Sequence, residues 1–281
     1  MTELISADDW TATVKPEVGG ALASLKWRET DILRPMPEDS GDPLQAACFP
    51  LIPYCNRIRF GKFAWQKREV VLPPNLADDL HSLHGLSWQS AWNTVSIAPH
   101  MIELAHRYDG SGPWPWAYDA LQTFHLSEHG ADITVQVTNR ANVPMPAGLG
   151  LHPYFRKRPE SRVRFEAGTT ILVDDGNIPT SEREAGDHFA KWSKGAALPP
   201  LQVDHCHADW RGEVVIEDDL GRITMTATGT PYLHVYAPLD DTTLCFEPVS
   251  HMPDAVNQDP GGMMALPPGC TTSMTMRIAA S

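Results

Sequence analysis

Residues 131–139, ADITVQVTN, place Ile133, Val135 and Val137 at alternate positions with polar residues between them. Successive side chains of an extended chain leave opposite faces, so this stretch presents one apolar and one polar surface. It reads as a half-buried strand. The same reading extends outward to FAWQKREVVL (63–72), WNTVSIAP (92–99), MIELAHRY (101–108), YDALQTFHLS (118–127), RVRFEAG (162–168), EVVIED (213–218), RITMTATG (222–229), LHVYAPL (233–239) and TTSMTMRIA (271–279). These segments are rich in β-branched and aromatic residues, and 25 prolines and 20 glycines punctuate the chain around them. Ten or more strands imply a large all-β sheet system. Long apolar runs at helical spacing are missing, which argues against wound α/β sheets and helical bundles. Only SEREAGDHFAKW (181–192) and part of NLADDLHSLHGLSW (75–88) are candidates for short helices. No repeat with a period of 20–50 residues is present, which argues against propellers and solenoids. The proline-dense stretches 35–53 and 143–159 read as ordered loops crossing a sheet edge rather than as domain boundaries.

The 281 residues are 42% hydrophobic and 20% charged, the balance of a folded globular chain. Lys+Arg 22 against Asp+Glu 35 gives a net charge of -13, which repels a phosphate backbone and argues against a nucleic-acid partner. The five cysteines (Cys48, Cys55, Cys206, Cys245, Cys270) form no CxxC pair, and an odd count does not suggest a disulfide framework. With no basic-then-apolar leader and no apolar run long enough for a bilayer span, the expectation is a cytoplasmic protein with no membrane partner.

Four segments concentrate chemistry-bearing residues beside turn residues. In PYCNRIRFGKF, an extended backbone would send Arg57 and Arg59 out of one face as two cationic forks, suited to hydroxyls, carboxylates or phosphates; an edge strand with two solvated arginines is the other reading. In DDLHSLHGLSW, His81 and His84 precede Gly85, and a metal site extended by His205 and His207 competes with proton transfer and with a structural role. HxxH without a nearby Glu is weak support for a metal. In PAGLGLHPYF, Gly148, Gly150 and Pro153 fix the backbone around His152, which serves either a positioned acid or base or a satisfied turn histidine. In LCFEPVSHMPDAVNQ, Glu247 ends an apolar strand, where desolvation would raise its pKa and suit it to act as a base; a surface strand end is the alternative. Asp254 reads as a turn residue bonding its own backbone. The nine tryptophans could wall a sugar site, but burial in the core is the reading preferred for most of them.

In this order the four segments resemble the aldose 1-epimerase, or galactose mutarotase-like, family over residues 10–278. The resemblance is carried by Asn56-Arg57-Ile58, by Leu83-His84-Gly85, by His152-Pro153-Tyr154-Phe155, and by Glu247 followed by Pro253 to Asn257. VDHCHADWRGEV resembles the segment that gives the family's sugar site an aspartate, here Asp204. Leu86 stands where the family has a second glycine, and the gap after Glu247 is longer than in the best-known galactose mutarotases; both bear on sugar preference. The wording GLGLHPYF is nearer to divergent bacterial branches. The resemblance implies a β-supersandwich with a few short helices, forming a single domain over residues 1–281.

It further implies interconversion of the α and β anomers of a hexose such as glucose or galactose. Glu247 would take the C1 hydroxyl proton and His152 would protonate the ring oxygen, with Arg57, His84 and Asp204 orienting hydroxyls and Asn56 and Arg59 also binding the substrate. No metal or nucleotide cofactor is required, and the acidic surface leaves a homodimer open. Two alternatives accompany this reading. One is a hexose-6-phosphate 1-epimerase using Arg57, Arg59 and the RKR at 156–158 as a phosphate clamp. The other is a catalytically silent carbohydrate-binding sandwich.

Overall fold

The structure, a computed structural model, describes residues 2–239, 242–258 and 262–281. ADITVQVTN lies in the Gly130–Asn139 strand, whose burial alternates along its length. Its register places Ile133 opposite Phe124 on one side and Met276 on the other, and Val137 opposite Ala120. Apolar residues thus meet apolar residues across the ladder, and a slip of one position would turn every one of them to the wrong face.

This strand is central in a nine-stranded antiparallel sheet that runs from Asn93–Ala98 at one edge to Ala196–Ala197 at the other. A second sheet orders Pro179–Ala185, Thr169–Val173, Val203–Ala208, Tyr232–Ala237, Thr243–Val249, Gly150–Leu151 and Pro50–Leu51, with Tyr154–Arg156 also paired to Thr243–Val249. Four N-terminal strands, Glu3–Ala7 to Thr30–Asp31, form a third. One apolar cluster joins Phe124, Val135 and Met276 of the first sheet to Leu233, Val235 and Phe246 of the second. Burial of such side chains contributes roughly 25 cal/mol per Å² of apolar surface, the dominant favourable contribution to folding. A smaller cluster, built from Phe49, Trp88, Tyr154, Cys245 and Val249, covers the opposite face of the second sheet. Every residue of Thr243–Val249 is therefore buried, Glu247 included.

Several local expectations are corrected. Residues 181–192 do not form a helix: Pro179–Ala185 is an edge strand paired to Thr169–Val173. Gly186 then passes so close to the chain that an added Cβ would lie 2.0 Å from the Ala167 carbonyl, and Trp192 is buried against Phe165. Of residues 75–88 only Ser87 and Trp88 enter a helical turn, the 3₁₀ turn Ser87–Gln89. The Asn75 amide bonds the backbone of Leu83 and Gly85, and Asp79 accepts from the His81 N–H, so side chains take the backbone groups a helix would need. Among the described residues helical structure is confined to three-residue 3₁₀ turns such as Ser87–Gln89 and Ala255–Asn257. FAWQKREVVL is a hairpin, turned at Gln66 and Lys67 with φ of 48° and 70°. The two proline-dense stretches are not only loops, because they supply Pro50–Leu51, Gly150–Leu151 and Tyr154–Arg156 to the second sheet.

Candidate active site

The sequence motifs meet through short backbone ladders. Arg57 and Ile58 pair with Leu83 and Ser82, which sets the Asn-Arg-Ile and Leu-His-Gly segments side by side. Asn56, His84 and Gly85 all have positive φ (55°, 58° and 75°). The two side-chain-bearing residues in this conformation are held by bonds to each other: the Asn56 N–H donates to His84 Nδ1 at 3.1 Å, and the His84 N–H donates to the Asn56 carbonyl at 3.0 Å. A Cβ at Gly85 would lie 2.1 Å from the Ile52 carbonyl oxygen. Pairing of Gly150 with Val249 and of Tyr154 with Cys245 brings His152 beside Glu247. Asp254 does not bond its own backbone as expected. Its carboxylate accepts from the Arg59 N–H and from Asn257, tying the Pro-Asp-Ala-Val-Asn turn to the Asn-Arg-Ile segment.

These elements enclose an open, largely polar cavity of about 390 Å³. At its wall His152 Nε2 lies 3.3 Å from Glu247 Oε1, with Glu247 2% and His152 6% exposed. The His152 ring is sandwiched between Phe49 and Tyr154, with centroids 4.8 and 4.6 Å away. Burial pushes the Glu247 carboxyl up to about 7; His234 and Arg57 pull it down and Asp204 pushes it further up. Burial takes the His152 imidazole down to about 3, with His234 and Arg34 adding to the effect. His84 is also held well below the ordinary histidine value, by burial first and then by His152, Arg57 and His234. In the free protein both imidazoles are neutral near pH 7.

Asn56, Arg57, His84, His152, Asp204 and Glu247 all line this cavity. Arg57 is also bonded through Nε to Asp79 at 3.0 Å. Arg59 does not join them, correcting the expectation of two parallel forks. Phe60 turns the chain with φ 52°, and the exposed Arg59 guanidinium pairs with Asp174. The RKR triplet lies away as well. Arg156 is paired with Asp31 and Arg158 with Asp219, while Lys157 donates to the carbonyls of Pro238 and Leu239. His81 faces a neighbouring hollow and accepts from the Phe60 N–H, and His207 is buried against Phe165, so neither extends a cluster around His84. No tryptophan lines the cavity; Tyr154 and Tyr236 supply its aromatic wall.

The sequence reading missed His234, Tyr154, Tyr236 and Arg34 as cavity residues. The signal for His234 was the alternation in LHVYA: with Leu233, Val235 and Ala237 committed to the core, His234 and Tyr236 fall on the other face. Tyr154 sits two residues after His152 and stacks on it. Arg34 had no local signal. Its Nη2 donates to the carbonyls of Leu44 and Ala46, and its guanidinium lies 3.8 Å above the Tyr154 ring.

Ligand atoms of His84, His152 and Glu247 lie within 4.8 Å of one another, a set that could in principle hold a metal ion. The bonding of His84 opposes this. Because Nδ1 accepts a backbone N–H, a neutral imidazole carries its proton on Nε2, the nitrogen left to face the cavity. That nitrogen is a hydrogen-bond donor and has no lone pair to offer.

The fold and cavity define an all-β sandwich with a buried carboxyl and an imidazole paired beside an open polar pocket. The chain belongs to the aldose 1-epimerase family, whose sequence profile matches residues 4–279. It is 31% identical to the uncharacterized protein YphB of Escherichia coli K12, over 92% of this chain and 93% of that one. A solved structure of an E. coli K12 protein, assigned provisionally as an aldose 1-epimerase, superposes with a TM-score of 0.92 at 30% identity, covering 100% of this chain and 99% of that one. A galactose mutarotase-like protein from Clostridium acetobutylicum shares the fold, with a TM-score of 0.87 at 21% identity over 99% and 95% of the two chains. Among the described residues no helix is long and apolar enough to cross a membrane.

Proposed function

We propose that this protein is an aldose 1-epimerase that interconverts the anomers of a neutral aldose through its open-chain aldehyde. The observation that carries this reading is the 3.3 Å approach of His152 Nε2 to Glu247 Oε1 beside an open cavity. The reaction requires one base, one acid and one transferable proton. In the free protein that proton rests on Glu247 below about pH 7, and His152 is the weaker holder. Passing it across the short gap gives ionised Glu247 and protonated His152. Glu247 then takes the proton of the C1 hydroxyl while His152 gives its own to the ring oxygen, and the C1–O5 bond breaks to leave the aldehyde. Rotation about C1–C2 and the reverse transfers form the other anomer and restore both groups. Among the described residues the buried Nδ1 of His152 has no hydrogen-bond partner, so the imidazolium is poorly supported and readily gives up its proton. His84 Nε2–H, Arg57 and Asp204 supply donors and an acceptor for the sugar hydroxyls. Positioned proton transfer contributes about 10² to 10⁴ in rate per group, enough for a reaction that already proceeds in water.

The hexose-6-phosphate alternative loses most of its clamp. Of the cations assigned to it, Arg59, Arg156, Lys157 and Arg158 are engaged outside the cavity, and Arg57 is already paired with Asp79. A silent binding sandwich has no use for a proton-sharing pair at 3.3 Å. Polarimetry of freshly dissolved α-D-glucose and α-D-galactose beside their 6-phosphates tests the proposal, with acceleration over a buffer blank expected for neutral sugars.

A further inference from the structure

We infer that His234 is a positioning residue of this site: a resident cation, pinned by Asp204 on the strand beside Glu247, that governs how tightly the Glu247–His152 pair holds its proton. The inference rests on the epimerase reading of the cavity and names a group that none of the sequence motifs contains.

Its geometry is set by the sheet. Tyr232–Ala237 runs between Val203–Ala208 and Thr243–Val249, so His234 lies opposite Cys206 on one side and opposite Glu247 on the other. Side chains directly opposite in an antiparallel pair have Cβ atoms about 5 Å apart, close enough for a charge on one to be felt by the other. His234 is 3% exposed, lines the cavity, and its Nε2 lies 2.7 Å from Asp204 Oδ1, with Asn56 Nδ2 at 3.4 Å. Two carboxyl groups therefore face one imidazole, each from an adjacent strand.

The remaining charged or titratable neighbours come from other elements. Arg57 and His84 approach from the paired Asn-Arg-Ile and Leu-His-Gly segments, His152 from the link between Gly150–Leu151 and Tyr154–Arg156, and His205, Cys206 and His207 from the Asp204 strand. Burial alone would keep His234 neutral, but Glu247 and then the Asp204 hydrogen bond outweigh it and hold the imidazole well above its ordinary value. In turn, burial would raise Asp204, yet the His234 bond and charge bring it below the carboxylate norm. The same cation is the leading favourable influence on ionised Glu247, and it weakens protonation of His152. Asp204 and His234 thus form a fixed dipole whose positive end faces the reacting pair. Without that end, both members of the pair would hold their protons more tightly.

The test is His234→Gln, whose amide still donates to Asp204 but carries no charge. The alkaline limb of kcat/KM, where the pair loses its proton, moves upward by about one pH unit or more. The ratio of variant to wild-type kcat/KM then rises about tenfold between pH 6 and pH 9, with KM for the sugar little changed. A merely structural role lowers kcat/KM by a factor independent of pH, and that result overturns the inference. A second readout needs no activity: long-range ¹H–¹⁵N spectra of the wild type near pH 8 should show one histidine protonated at both nitrogens, missing in His234→Gln. If that ring is instead neutral, with a proton only on Nε2, the inference fails even where sugars are turned over. Conversely, a protonated His234 in a protein inactive on every sugar would sink the epimerase reading while leaving the cation in place.

Discussion

Glu247 is an ionisable group buried in the core of the second sheet, a cost to the fold that the proposed chemistry uses. Its carboxyl is held near 7 in the folded chain, against 4.5 when unperturbed. Between these values the folded protein keeps a proton that the unfolded chain has lost, so this group's contribution to stability falls as pH rises through that window. Glu247→Gln has no proton to lose. The variant is expected to be more stable than the wild type by about 3 kcal/mol near pH 8 and nearly equal to it near pH 4.5, measured by urea unfolding. An offset that is the same at both pH values would mean that Glu247 is not buried as an ionisable group. The apolar strand that carries it was legible in TTLCFEPV, but the strand runs on to Val249 and buries Glu247 inside it, where the sequence left a surface strand end open. Its partner His234 was not legible. A histidine in LHVYA has a visible face, but only the pairing of its strand on both sides, with Val203–Ala208 and Thr243–Val249, shows that two carboxyl groups await it there.

At the scale of elements, the sequence patterns with period two gave the strands, while the connections had to be seen. ADITVQVTN, YDALQTFHLS and TTSMTMRIA are neighbours whose buried faces meet, Ile133 between Phe124 and Met276, with Gln122 opposite Val135 as a polar exception. The helices expected at 75–88 and 181–192 failed because side-chain hydrogen bonds and a close backbone approach at a glycine outweigh weak helical spacing, and neither is visible in a local window. Arg59 failed for a related reason: it opens the turn Arg59–Gly61 instead of continuing the strand, and its guanidinium is held outside the cavity by Asp174. The Asn-Arg-Ile and Leu-His-Gly motifs were readable as chemistry, but their first role is to hold each other in strained conformations. Gly85→Ala puts a Cβ 2.1 Å from the Ile52 carbonyl at φ 75°, and should destabilise the fold by about 2–4 kcal/mol while displacing His84. Thermal unfolding and the rate of anomer exchange should fall together. A stable Gly85→Ala protein with full activity would show that the ladder does not position the site.

The whole molecule buries more histidine than its composition announces. Burial holds His152 and His207 down to about 3 and His205 and His251 to about 4, below the unperturbed 6.5. An unfolded chain takes up these protons first, so the stability these groups contribute is present above pH 6.5 and is lost as pH falls toward their folded values. Each contributes about 1.4 kcal/mol per pH unit in that window; Glu247, which gains its proton in the folded state over the same range, offsets one of them, while His234, shifted upward, changes its contribution only above pH 6.5. Stability measured by urea unfolding should therefore fall by several kcal/mol between pH 6.5 and pH 4.5, before most surface carboxylates protonate. A flat profile over that range would contradict the burial of neutral imidazoles at His152, His205, His207 and His251. The same sheet carries the site and most of these histidines, so acid should remove activity and fold together.

The central claim is that Glu247 and His152 share one proton and use it to open an aldose ring. Polarimetry of freshly dissolved α-D-glucose and α-D-galactose near pH 6.5, with wild type and Glu247→Gln at equal concentration beside a buffer blank, tests it most directly. Acceleration by the wild type is predicted, with the variant reduced to the blank by about 10² or more while it still binds sugar. Equal acceleration by both proteins would contradict the account, because the carboxyl on which the proton transfer depends would then be dispensable.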